Sequence, residues 1–342
     1  AAVKYDLDRN LTRILLRPFG SRPGYILLGL MTVTALLSAF MSNTATTAMM
    51  MTVILPIIGR IEPGDPMRTG LALSIPFAAN IGGIATPIGT PPNAVVIGTL
   101  SNQGIDIPFG EWMILAVPLV VFVLIFAWQL LLFLYKPKLG KIEMDMSGTF
   151  KKTRPALLLY AVFGITVLLW VTESLHGIKS AIIALFPVVV LSLTGVITKE
   201  DIRKLPWEVL WLVAGGISLG ISMKNTGLAE WIISSIDWST MGSITMILAF
   251  SAVAVAMSNF LSNTVTATLL IPLAVSLATS GLAGEGFNLI IISVVIGISA
   301  SHAMMLPIST PPNAIAMSTG TLETREMAKA GLVIGVLGII VV

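Results

Sequence analysis

A polar motif that occurs twice in an apolar chain constrains this sequence more than any other feature. Ser42-Asn43-Thr44 returns as Ser262-Asn263-Thr264, and Thr90-Pro91-Pro92-Asn93-Ala94 returns as Thr310-Pro311-Pro312-Asn313-Ala314, both after 220 positions without a gap. Ser38, Pro87 and Lys4 keep the same register with Ser258, Pro307 and Lys224. Two motifs held in register argue for two related halves. The halves are also apolar: 55% of the 342 residues are hydrophobic, only 11% are charged, and the mean hydropathy is +0.93. A soluble domain carries about 25% charged residues, so this chain belongs in lipid. Internal repeats in such a chain mark secondary transporters.

Composition excludes several other classes. With no cysteine there is no disulfide, thiol nucleophile or cysteine metal site. His176 and His302 are the two histidines, too few for a multi-histidine site. The net charge of +3 is spread over short loops between apolar runs and gives no nucleic-acid footprint. The chain opens at Ala1 and stops inside an apolar run, and residues 155–220 have no counterpart in the first half. The expectation is a fragment preceded by several further helices.

In chain order, residues 1–23 place Leu7, Leu11, Ile14, Leu15 and Leu16 among five basic residues, the spacing of an amphipathic helix on a membrane surface. Apolar runs at 25–41 and 45–58 flank the first polar triplet. At 1.5 Å per residue they reach roughly 25 and 21 Å, short of the ~30 Å hydrocarbon core, which predicts a re-entrant hairpin with Ser-Asn-Thr at its tip. Residues 67–100 read as a span broken at 86–93, where three prolines and Gly89 oppose a helix. A continuous span at 112–135 is followed by a basic connector at 136–154 and by spans at 155–172, 179–197 and 208–224. The pattern then repeats with a surface helix near 226–237, a hairpin at 243–279, a broken span at 287–319 and a last span from about Met327.

Basic residues test this layout. With the first surface helix inside and each hairpin counted as no crossing, every Lys and Arg falls in inner segments except Lys179 and Lys224. That is the positive-inside pattern. Five spans separate the hairpins, an odd number, so the first opens inward, the second outward, and the repeat is inverted.

A hairpin tip sets a helix C-terminus beside a helix N-terminus. Free carbonyls there suit a small hard cation, and free amides suit an anion. Ser, Thr and Asn side chains add neutral ligands and donors. The spans hold almost no internal ionisable group, so a multivalent anion must bring its own neutralising cations. No intramembrane carboxylate is available for a proton relay, which favours metal-ion coupling, with Na+ the natural candidate.

Paired Ser-Asn-Thr tips with Thr-Pro-Pro-Asn breaks downstream resemble the divalent anion–sodium symporters, solute carrier family 13. The resemblance covers nearly the whole chain. It implies an all-α polytopic elevator transporter, working as a homodimer, that carries di- or tricarboxylates such as succinate, malate, fumarate or citrate with two or more Na+ ions. By resemblance a first sodium site maps to Ser38, Ser42, Asn43 and Gly89, and a second to Ser258, Asn263 and the backbone at Ser309. Substrate carboxylates would meet Asn43, Thr44, Asn263 and Thr264, with Thr90, Thr310 and Pro311 nearby. His302 departs from the family pattern, stands where the first half has Gly82, and leaves room for a proton effect.

The reading is thus a sodium–dicarboxylate symporter of the cytoplasmic membrane and not an enzyme. Its parts are a first repeat (1–135), a basic connector (136–154), scaffold spans with a surface helix (155–240) and a second repeat (241–342). Citrate or sulfate as substrate and anion exchange are the alternatives within transport, and a passive anion channel is a separate class. A different class is an intramembrane serine hydrolase, because Gly216-Ile217-Ser218-Leu219-Gly220 matches G-x-S-x-G. No strand is expected before Ser218, and Gly216 with Gly220 forms a small-xxx-small packing face. Met49, Met50 and Met51 read as packing residues, and Trp207, Trp211, Trp231 and Trp238 as interfacial anchors.

Overall fold

The computed structural model describes residues 4, 12, 14–142, 153–203, 205, 207–228, 231, 241–280 and 287–342, and no strand occurs among them. Both expected surface helices fall largely outside the described residues. The first half runs α1 (Pro23–Phe40), α2 (Asn43–Arg60), α3 (Met67–Gly83), α4 (Pro91–Asn102) and α5 (Phe109–Leu134). The middle holds α6 (Arg154–Val171), α7 (Leu185–Leu193) and α8 (Trp207–Asn225). The second half repeats the first as α9 (Ser243–Phe260), α10 (Asn263–Ser280), α11 (Leu289–Ser301), α12 (Pro311–Ser318) and α13 (Thr324–Val341). Four of these helices, α1, α5, α6 and α9, are long and apolar enough to cross a membrane. The chain is a multi-pass helical membrane protein.

Three expectations need correction. The hairpin arms are longer than their apolar runs suggest: α1, α2, α9 and α10 each have 18 residues, about 27 Å at 1.5 Å per residue. Pro23 starts α1 two residues before the apolar run, at a position where its missing N–H costs nothing. Arg60 ends α2 two residues after its run, where a cation suits the helix C-terminus. Arm length therefore does not separate a re-entrant hairpin from a spanning one. The second correction concerns the breaks, which lie at residues 84–90 and 302–310. Pro91-Pro92 and Pro311-Pro312 start helices instead of sitting in the gaps. A residue before proline is pushed to extended backbone, so Thr90 (φ −141°, ψ 146°) and Thr310 (φ −143°, ψ 148°) become N-caps of matching conformation. Third, the apolar run 179–197 is helical only in two pieces, Ser180–Ile183 and α7, that meet at Ala184.

The duplication extends to packing. Within each half the first hairpin arm and the pre-break helix pack together, α1 on α3 and α9 on α11. Across the halves each second hairpin arm meets the other half's post-break helix: α2 packs on α12, and α10 on α4. Pre-break and post-break helices also cross, α3 with α12 and α11 with α4. The α1–α3 contact depends on Gly82, where a Cβ would lie 2.3 Å from the Cα of Ala35. The α11–α4 crossing depends on Gly297, where a Cβ would lie 2.5 Å from Val96 Cγ2. A single buried core joins these helices. Part of the middle packs by itself, with Leu159, Val162, Leu191 and Val196 forming a small separate core between α6 and α7. Phe109 stacks on Trp170 where α5 meets α6, with ring centroids 5.3 Å apart.

Candidate functional site

Both hairpin tips are two-residue turns, Met41-Ser42 and Leu261-Ser262, and both are pinned to a break in another helix. In the first half the Thr86 hydroxyl donates to the Ala39 carbonyl at the end of α1. In the second half the Ser309 hydroxyl donates to the Asn259 carbonyl at 3.0 Å. A hairpin tip and an opened helix thus share each cluster. Such opened backbone is tolerated at membrane depth only beside protein or a wet cavity.

The first cluster centres on Asn43. Its Oδ1 accepts from Ser38 Oγ at 2.5 Å, and Ser38 is fully buried. The Asn43 amide also lies on Gly83, where a Cβ would stand 2.6 Å from Oδ1. The Gly83 carbonyl in turn faces Gly89, where a Cβ would come within 2.4 Å of that oxygen. Asn93, fully buried, holds the break in shape: its Nδ2 reaches the carbonyls of Gly83 (3.2 Å), Ile84 (3.3 Å) and Thr86 (2.8 Å). Trp112 Nε1 donates to the Ile84 carbonyl at 3.0 Å.

The second cluster follows the same plan with different details. Ser258 Oγ donates to Asn263 Oδ1 at 2.7 Å. Asn313 Nδ2 donates to the carbonyls of Met304 and Leu306, both at 3.0 Å. Asn259, standing where the first half has Ala39, accepts from Met305 N (2.9 Å) and Ser309 Oγ (3.3 Å). The structure therefore brings Ser38, Asn43 and Gly89 together through Gly83, while Ser258 bonds Asn263 and its chain neighbour Asn259 bonds Ser309. Thr264 is buried, whereas Ser42, Thr44 and Pro311 are exposed beside the clusters.

Several polar groups in this region were not singled out from sequence. Asn80 is buried and crosses between the halves: its Nδ2 donates to Thr310 Oγ1 (3.1 Å) and Asn313 Oδ1 (3.2 Å). Its repeat position is Ala300, so the register that flags the other residues is silent about it. Thr46 and Thr266, a repeat pair one turn beyond Asn43 and Asn263, are fully buried, and neither hydroxyl has a partner among the described residues. Asn93 Oδ1 is likewise without a partner. The Thr pair was missed because threonine in an apolar helix usually bonds its own preceding turn.

The electrostatics are as sparse as the composition suggests. In the hairpins and broken helices the charged side chains are Arg60 and Arg68, both at helix ends next to the 61–66 loop. No group of three His, Asp or Glu occurs among the described residues. What remains is neutral oxygen and amide, which suits a small hard cation or a carboxylate and offers nothing to a softer metal. His302 lies just past α11, fully buried, with Nδ1 3.0 Å from the Ile298 carbonyl and its ring against Gly338. Since a carbonyl only accepts, Nδ1 carries the proton, and Nε2 has no partner among the described residues. Ser218 sits in the middle of α8, and a nucleophile elbow requires a strand-to-helix turn at that point.

Paired hairpins, paired broken helices and two neutral clusters at their junctions are the features of a membrane transporter. A family model described as citrate transporter matches residues 3–297. The chain belongs to that family. It is 32% identical, over 91% of its length and 69% of the relative's, to an uncharacterized transporter of Haemophilus influenzae. It is 32% identical to the sodium-dependent high-affinity dicarboxylate transporter 3 of Caenorhabditis elegans, over 98% of this chain and 69% of that one. To the sodium-dependent dicarboxylate transporter SdcS of Staphylococcus saprophyticus it is 29% identical, over 100% of this chain and 72% of the relative. The protein is a transporter and not an enzyme.

Proposed function

We propose that this transporter couples the entry of C4-dicarboxylates such as succinate, malate and fumarate to two or more Na+ ions across the cytoplasmic membrane. The observation that carries the reading is the duplicated neutral cluster, Ser38 with Asn43 and Ser258 with Asn263, in helices whose only charges sit at their ends. A dianion held there without Lys or Arg needs cations to travel with it, and the names of two relatives specify sodium and dicarboxylate.

The first sodium ion is assigned to Ser38, Ser42, Asn43 and Gly89, and the second to Ser258, Asn263 and the Ser309 backbone. Between them Asn43, Thr44, Asn263 and Thr264 donate to the carboxylates, with Thr90, Thr310 and Pro311 framing the pocket. The duplicated packing and the one-sided distribution of Lys and Arg support an inverted repeat in the bilayer. The pinning of both tips to helix breaks supports re-entrant hairpins. In this scheme 1–135 and 241–342 contribute the moving part, 155–240 contributes scaffold, and 136–154 connects the halves. The separate core between α6 and α7 supports that division. The machine would be a homodimer working by an elevator motion.

Asn43→Ala and Asn263→Ala, reconstituted in liposomes, test the sites. Sodium-driven succinate uptake is expected to fall by at least tenfold in each, and undiminished uptake in both would remove the assignment. Citrate is a second reading, favoured by the description of the family model. Competition of citrate against labelled succinate separates the two.

A further inference from the structure

The two N-cap threonines of the repeat have the same backbone but different hydrogen bonding. Thr90 and Thr310 differ by no more than 2° in φ and ψ. Yet the Thr90 side chain makes no cap bond, whereas Thr310 Oγ1 accepts from Asn313 N at 3.3 Å and from Asn80 Nδ2 at 3.1 Å. A hydroxyl has two lone pairs and one proton. At Thr310 both lone pairs are taken, so its proton is the one function left, and no described residue accepts it. At Thr90 no described side chain imposes that polarity, and Ala300 stands where a second Asn80 would be. Asn80 also satisfies Asn313 Oδ1 (3.2 Å), while the equivalent Asn93 Oδ1 has no partner among the described residues.

From this asymmetry we infer that Asn80 is a positioning residue that turns Thr310 into a fixed hydrogen-bond donor for one carboxylate of the substrate. The inference rests on the dicarboxylate reading above. Fixing the donor in advance spares the cost of orienting it when the anion arrives, a cost that falls on a hydroxyl without such a cap bond, as at Thr90. The two ends of the pocket are then unequal despite the repeat. An unsymmetrical dianion such as malate has a preferred orientation, with the carboxylate needing the firmer donor at Thr310.

A double-mutant cycle on succinate uptake in liposomes tests this. Asn80→Ala is expected to raise the KM for succinate by up to about tenfold, the upper end of what fixing one side-chain rotor in advance is worth, with the maximal rate and the sodium dependence changed by less than twofold. In a Thr310→Ala background Asn80→Ala should add almost nothing, and in a Thr310→Ser background, which keeps the hydroxyl, the effect should return. In a Thr90→Ala background the two losses should multiply. Asn80→Leu, which keeps the volume and removes the donor, carries the same cycle if the alanine variant unfolds. Losses that multiply in the Thr310→Ala background, or a fall in maximal rate at constant KM, would overturn the inference and leave Asn80 a brace between halves. Absence of succinate uptake by the unmodified protein would overturn the dicarboxylate reading, and the inference with it.

Discussion

Replacing Gly83 by alanine should weaken sodium binding in the first cluster while leaving the fold standing. The added Cβ would lie 2.6 Å from Asn43 Oδ1 and 2.7 Å from Nδ2, whereas ordinary contacts begin at 3.4 Å. The obstructing atoms end a side chain, so the Asn43 amide can retreat by about 0.8 Å while the backbone stays. That retreat stretches the 2.5 Å bond from Ser38 Oγ toward the limit of hydrogen bonding and moves a proposed sodium ligand by the same amount. Losing most of one such interaction costs about 1.4 kcal/mol, a tenfold loss of affinity. The repeat supplies an internal comparison, because position 303 is already alanine and the equivalent Ser258–Asn263 bond is present at 2.7 Å. The assay is sodium-dependent succinate uptake at fixed succinate, with Gly98→Ala as control, since nothing lies within 4 Å of a Cβ there. A folded Gly83→Ala protein with unchanged sodium dependence would refute the placing of Asn43 at the ion.

Other perturbations probe the frame around the clusters. Asn313→Ala removes the donor to the Met304 and Leu306 carbonyls and should lower stability by about 1–3 kcal/mol, read as thermal unfolding in detergent. Gly338→Ala brings a Cβ within 2.6 Å of the His302 ring, so overpacking of about 1–3 kcal/mol is expected, and His302→Ala should relieve it in the double variant. The Lys179 ammonium hydrogen-bonded to Asp106 at 2.7 Å, aided by Ser101, holds that carboxyl below its usual range. Because the folded pKa is depressed, the contribution is present above the ordinary carboxylate pKa near 3.9 and is lost as pH falls through the lower folded value. Both side chains are exposed, so the loss should be slight, and Asp106→Asn should abolish it in unfolding scans between pH 5 and pH 2.

The sequence made some of this architecture legible and concealed the rest for physical reasons. Hairpin tips and helix breaks could be located because they are local chemistry: a polar triplet in an apolar run, and prolines that cannot sit inside a helix. Their ends were harder to place. Pro23 and Arg60 extend two arms beyond their apolar runs because helix termini tolerate a missing N–H and a terminal cation. The same tolerance moves Pro91-Pro92 and Pro311-Pro312 from the gaps into the first turns of α4 and α12. The repeat pointed to Ser38, Asn43, Ser258 and Asn263, and they do bond in pairs. It could not point to Asn80 or Asn259, which stand opposite Ala300 and Ala39, and whose partners belong to other elements. The cross-half packing of α2 on α12 and α10 on α4 is tertiary, and periodicity carries no trace of it.

Radiolabelled succinate uptake into liposomes, with an inward sodium gradient and then with potassium replacing sodium at fixed pH, tests the central claim most directly. The account predicts uptake against a gradient with sodium and only background entry with potassium. Equal uptake with both ions, or uptake that follows a proton gradient instead, would contradict it.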